Sequence, residues 1–162
     1  MAIPFHFLSS QHPLQAANAV AALLILEDGR YIMQLRDDIP AIWYPGHWGL
    51  FGGSLNAGED EIAALRRELK EELEIEFDKA RLFTNFEFDL TPIGLHRCFR
   101  KYYEIRIASR DWERAVLHEG SDVRAFPGGE ALALPMLSPY DAFALFLHWR
   151  RDRLSDLGRC AD

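Results

Sequence analysis

Ala19 to Leu26 (AVAALLIL) is an unbroken apolar run of strand length, and Tyr31 to Leu35 is a second short strand candidate. Between them Glu27-Asp28-Gly29-Arg30 supplies an Asp-Gly turn, whose positive φ values close a hairpin. Asp37 to His47 carries two prolines and reads as a loop. From about Glu59 to Leu73 the period changes: Ile62, Leu65, Leu69 and Leu73 recur at three- and four-residue steps and line one face of a helix. Arg81 to Leu90 and Leu95 to Ala108 are rich in aromatic and β-branched residues, and Thr91-Pro92-Ile93-Gly94 marks a second hairpin between them. Ser121 to Phe126 predicts a shorter strand, which Pro127-Gly128-Gly129 breaks. A last helix starts near Ser138, with Ser138 as N-cap, Pro139 in the first position and Asp141 favouring the N-terminal dipole. Its Phe143, Leu145, Phe146, Leu147 and Trp149 are expected to pack onto the sheet. This order of elements predicts an α/β domain, a mixed sheet covered by helices. Residues 1–15 mix Pro, His and Phe without period and read as an N-terminal arm, which leaves 16–162 as a single domain.

Composition narrows the function classes. The chain has 162 residues, with 49% apolar and 27% charged positions, the profile of one folded domain. Its formal charge of −7 argues against a grip on long nucleic acid, which needs a basic surface, but leaves room for a small phosphorylated ligand. No apolar run is long enough to span a bilayer, and Ala19 to Leu26 lacks the basic flank of a secretory signal, so a cytoplasmic protein without membrane partners is expected. The two cysteines, Cys98 and Cys160, read as free thiols.

The chemistry concentrates in Gly53 to Ile75 (GSLNAGEDEIAALRRELKEELEI). On a helix Glu68, Glu71 and Glu72 stand at i, i+3 and i+4, centred about 110° round from the apolar stripe. Carboxylates about 6 Å apart repel by a few kcal/mol at an effective dielectric of about 20, and a cation relieves that repulsion. Hard oxygen donors suit Mg²⁺ or Mn²⁺. Three glutamates alone are usually an ordinary solvated face.

The spacing goes further. Gly53, Glu59, Arg67, Glu68, Leu69, Glu71, Glu72 and Ile75 reproduce the signature of the Nudix hydrolases, a match that chance gives at below roughly one in a million per start position. The chain departs from that pattern at Glu74, where the family usually has Gly, and at Phe51, where many relatives have Pro. The resemblance implies an α/β/α sandwich and a hydrolase that cleaves the diphosphate of a nucleoside diphosphate linked to a moiety X, with possible homodimer formation. It implies that Glu68, Glu71 and Glu72 bind metal, that the Gly52 carbonyl joins them, and that Arg67 and Glu59 orient a catalytic glutamate. Glu119, in His118-Glu119-Gly120, resembles the later carboxylate that some relatives recruit as ligand or base; an ordinary loop glutamate is the competing reading. Glu68 also resembles the residue that helps position or deprotonate the attacking water. Trp43 and Tyr44 are candidates to stack on a nucleobase or sugar, and Arg97 to meet the substrate, whereas Trp48 reads as a packing residue. A nucleoside triphosphate pyrophosphohydrolase and a non-catalytic nucleotide-binding module remain as alternatives.

Overall fold

A computed structural model describes residues 16–157; the N-terminal arm, residues 158–162 and Cys160 lie outside the described residues. The chain runs β1 (Ala19–Leu26), β2 (Tyr31–Leu35), β3 (Trp48–Gly49), α1 (Glu61–Leu73), β4 (Arg81–Phe88), β5 (Cys98–Ile107), α2 (Ser109–Trp112), β6 (Asp122–Phe126), α3 (Gly128–Leu132) and α4 (Pro139–Leu157). The strands form one mixed sheet in the order β3-β2-β1-β5-β4, with β6 antiparallel along β2. β1 and β5 are parallel; the β1–β2 and β4–β5 pairs are antiparallel.

β1 is apolar throughout because both of its faces are covered. Val20, Ala22, Leu24 and Leu26 pack with Ala64, Leu65, Leu69 and Leu73 of α1 on one side. Ala21, Leu23 and Ile25 pack with Met33, Tyr102 and the Ala131, Ala144 and Leu145 of α3 and α4 on the other. The result is the expected three-layer arrangement of helix, mixed sheet and helices. Each fully buried leucine contributes roughly 1.5–3 kcal/mol relative to exposure.

Several boundaries move. The α1 helix begins at Glu61, because the Asp60 carboxylate accepts N–H bonds from Ile62 and Ala63 at 3.0 and 2.9 Å and caps it. β4 ends at Phe88 and β5 starts at Cys98, so Leu95 to Arg97 belong to the connection, which includes a 3₁₀ turn at Thr91–Ile93. The short β3, α2 and α3 escape periodicity because each is shorter than the window that a period needs. In α4, Ala144, Leu145 and His148 turn inward, while Phe143, Phe146 and Trp149 remain 54%, 41% and 37% exposed. The expectation that all five apolar side chains of this helix pack on the sheet is thereby corrected: a helix offers the sheet one stripe, and 143 and 146 fall outside it. The hydroxyl of Ser138 closes no cap bond, although its carbonyl accepts from Ala142. No helix among the described residues is long and apolar enough to cross a membrane.

Candidate active site

The site lies where α1 faces the Phe51–Ser54 segment. β1 pairs with β2 only from Leu24 onward, and the edge N-terminal to it takes up this segment instead: Ala22 N–H donates to Phe51 O and Val20 N–H to Gly53 O, both at 2.9 Å. The alternation of an extended chain then turns the Gly52 carbonyl away from β1. Gly52 is required by space, since an added Cβ would meet backbone, whereas at Gly53 it would meet the carboxylate end of Glu68. A Cβ on Gly52, at φ 128°, would stand 2.3 Å from Val20 O, and one on Gly53 would stand 2.3 Å from Glu68 Oε1. The Glu68 carboxylate thus lies directly against the Gly53 backbone.

Arg67 organises the polar rim. It holds Glu59 bidentately, Nε to Oε1 and Nη2 to Oε2 at 2.9 Å each, and its Nη1 donates to Glu68 at 2.7 Å and to Glu71 at 3.3 Å. A further bond from Nη2 to Ser54 O fixes the fork against the turn. Glu59 can reach back because it precedes the Asp60 cap and is outside the helix. The Arg67 fork and the Asn56 N–H hold its carboxyl down at about 2.

Glu72 is almost fully buried, at 5% exposure. The Gly52 N–H reaches its Oε2 at 3.0 Å and the Gln34 amide its Oε1 at 3.3 Å. Burial, aided by the charges of Glu68 and Glu119, nevertheless pushes this carboxyl up to about 8. Burial also raises Glu68, against the pull of Arg67 and with the repulsion of Glu71 and Glu119. Glu71 is largely exposed.

Glu119 is brought near by a loop tied down on both sides. Val116 and His118 N–H groups bond Leu73 O and Glu72 O at the end of α1. Gly120 N–H and Ser121 Oγ bond the Asp37 carboxylate, and Ser121 N–H bonds Leu35 O. Its neighbour His118 points to Glu74, with Nε2 to Oε1 at 2.6 Å.

Four oxygen-bearing side chains, Glu68, Glu71, Glu72 and Glu119, therefore share one end of the molecule, and their mutual repulsion is the condition a hard divalent cation relieves. As placed, no three His, Cys, Asp or Glu side chains among the described residues converge enough to hold an ion. The donor chemistry fits such a cation.

Beside Gly52–Gly53 opens a cavity of about 360 Å³ lined by Trp43, Tyr44, Arg36, Phe99, Arg100 and Tyr140, among others. Trp43 is 38% exposed. Tyr44, held at φ 51°, meets the Tyr140 ring edge-on at 5.2 Å. Trp48 is buried against Phe126, in keeping with a packing role. Arg97 lies elsewhere, largely exposed and paired with Asp89 at 2.8 Å. The sequence reading did not single out Gln34, Asp37 or Tyr140, and gave Asp141 only a helix-end role. Gln34 carried a signal, a lone polar residue within the apolar strand YIMQL; the others act across elements and carried none.

The sequence model of the NUDIX domain matches residues 16–148. Over 50 residues the chain is 44% identical to the nucleoside triphosphatase NudI of Escherichia coli O139:H28 (strain E24377A / ETEC). That match spans 31% of this chain and about a third, 35%, of the length of that relative. The fold is similar to that of the MutT protein from Methanosarcina mazei Go1, with a TM-score of 0.70 at 19% identity over 88% of this chain and 99% of that one. It is also similar to that of the E. coli dihydroneopterin triphosphate pyrophosphohydrolase, with a TM-score of 0.60 at 21% identity over 83% and 95% of the two chains. With the family pattern covering most of its length, this chain belongs to the NUDIX domain family.

Proposed function

We propose that this chain is a metal-dependent hydrolase that cleaves the diphosphate linkage of a nucleoside diphosphate joined to another moiety X. The observation that carries the reading is the pair Glu68 and Glu72, two carboxylates pressed against the Gly52–Gly53 turn whose charges burial and like neighbours disfavour. Glu68, Glu71, Glu72 and Glu119, with the Gly52 carbonyl, would hold Mg²⁺ or Mn²⁺. Such an ion supplies charge neutralisation on the diphosphate and makes water a better nucleophile. Arg67, locked by Glu59, keeps Glu68 oriented, and Glu68 or Glu119 accepts the proton of the attacking water. Gln34 and the Gly52 N–H fix the Glu72 rotamer. Products are two phosphorylated fragments. A second reading, release of inorganic diphosphate from a nucleoside triphosphate, is favoured by the name of the 44%-identical relative.

The test compares wild type with Glu72→Gln on nucleotide sugars, dinucleotides and triphosphates with Mg²⁺. Hydrolysis is expected to fall by at least a hundredfold in the variant and to stop in excess chelator, with the melting temperature retained. Turnover in chelator, or a near-normal rate for Glu72→Gln, would overturn the assignment, and binding without turnover of any compound would leave a nucleotide-binding module.

A further inference from the structure

The cavity beside Gly52–Gly53 holds a charged side chain that the carboxylate chemistry does not use. Arg100 rises from β5 with its side chain only 12% exposed. Its Nε donates to the Tyr102 hydroxyl at 3.2 Å and its Nη2 to Asp141 Oδ1 at 3.3 Å, while the Tyr140 ring centroid lies 4.7 Å from the guanidinium carbon. Asp141 is itself immobilised, 1% exposed and accepting from Leu50 N–H and the Tyr102 hydroxyl at 3.1 Å each. The guanidinium plane is therefore fixed by two elements, β5 and α4, before any ligand arrives.

A guanidinium carries five N–H groups, and the protein engages two of those of Arg100. Its end edge keeps two parallel N–H groups, one on Nη1 and one on Nη2. The bonds of Arg100 to the described residues run from Nε and Nη2, none from Nη1, and the cavity wall includes Arg100. A donor fork held rigid at the wall of a ligand-sized cavity selects a ligand edge with two adjacent acceptors.

We propose that this cavity is the base subsite of the hydrolase and that Arg100 makes it selective for a 6-oxopurine, its end edge donating to O6 and N7. The choice follows from donor and acceptor patterns. Adenine would turn an amino group toward a donor, and uracil offers one carbonyl flanked by an N–H; cytosine does pair O2 with N3, and the loss expected on removing N7 distinguishes the purine edge from it. Trp43 and Tyr44 supply aromatic surface for the base, and the adjoining Gly52–Gly53 wall leads from the base to the carboxylates. The inference rests on the diphosphate hydrolase reading for its substrate class.

Calorimetric titration of the full chain with GMP, IMP, AMP and 7-deaza-GMP tests it. GMP and IMP are expected to bind at least tenfold more tightly than AMP, and 7-deaza-GMP, which lacks the N7 acceptor, at least fivefold more weakly than GMP. Arg100→Lys keeps the charge opposite Asp141 and loses the fork, so the ratio of GMP to AMP affinity should fall below threefold. If that variant does not fold, the 7-deaza comparison on wild type decides. Equal affinities for GMP and AMP, no loss with 7-deaza-GMP, or no binding of any of the four would overturn the subsite. Equal hydrolysis of GTP and ATP sinks the base selectivity alone, whereas preference for GMP without hydrolysis of any nucleotide sinks the hydrolase reading alone.

Discussion

At φ 55° and ψ 24°, Glu74 ends α1 in the left-handed region that usually falls to glycine. The helix does not continue through this residue. Its N–H and that of Ile75 close the helix on Lys70 O and Leu69 O, so the end is well formed despite the side chain. A non-glycine residue there costs about 1 kcal/mol or more, and the exposed His118 pair returns only a few tenths. Glu74→Gly is therefore expected to stabilise the fold by about 0.5–1 kcal/mol, read as a higher denaturation midpoint; a lower midpoint would mean that the His118 bond dominates. The same residue scale explains why the glutamates are not equivalent. Glu72 falls beneath the Gly52 turn and is buried, whereas Glu71, one position earlier, faces water.

Among the elements, the junction of α3 and α4 is set by what glycine lacks. A Cβ on Gly128 would stand 2.3 Å from Trp149 Cδ1, so the indole lies flat over the start of α3 in space that no other residue leaves. Pro127-Gly128-Gly129 does end β6, as its composition predicts, but it then begins a helix instead of a simple turn. Gly128→Ala should cost about 1–3 kcal/mol through overpacking, visible as a fall in melting temperature. Gly129→Ala, where the nearest Trp149 atom is 3.3 Å from the added carbon, should cost clearly less. Equal effects at both positions would show that backbone preference, not the indole, requires glycine.

Across the whole molecule, Glu104 of β5 ties three elements together. It accepts from Arg81 of β4 at 2.6 Å and from His148 of α4 at 2.9 Å, while His148 Nδ1 meets the Tyr31 hydroxyl of β2 at 2.8 Å. Burial works against the Glu104 charge, but the bonds from His148 and Arg81 outweigh it and hold the carboxyl down at about 2, against an ordinary 4.5. Burial likewise lowers His148, partly offset by Glu104. Both groups bind fewer protons when folded than when unfolded, so their stabilisation is present at neutral pH and is lost on acidification. His148 yields first, as pH falls below 6.5, and Glu104 later, between about 4.5 and 2. The difference in melting temperature between wild type and Glu104→Gln should be constant above pH 5 and shrink steadily below it. A difference independent of pH down to 2 would show that the cluster acts through packing alone.

The sequence by itself determined the strands β1 and β2, the apolar face of α1, the spacing of Glu59, Arg67, Glu68, Glu71 and Glu72, and through it the family. Those features are local: periodicity, turn chemistry and helical spacing are written within a few residues of one another. Tertiary structure decided what depends on contacts between distant segments. Which glutamate is buried follows from how Phe51–Ser54 fills the edge that β1 leaves open. The position of Glu119 follows from a loop bound to α1 on one side and to Asp37 on the other. The cavity of Arg100, Tyr140 and Tyr44 joins β5, α4 and the loop after β2, three stretches that only the folded sheet places together. Burial, and the pKa changes that burial causes, arise from that closure and are written in no single stretch of chain.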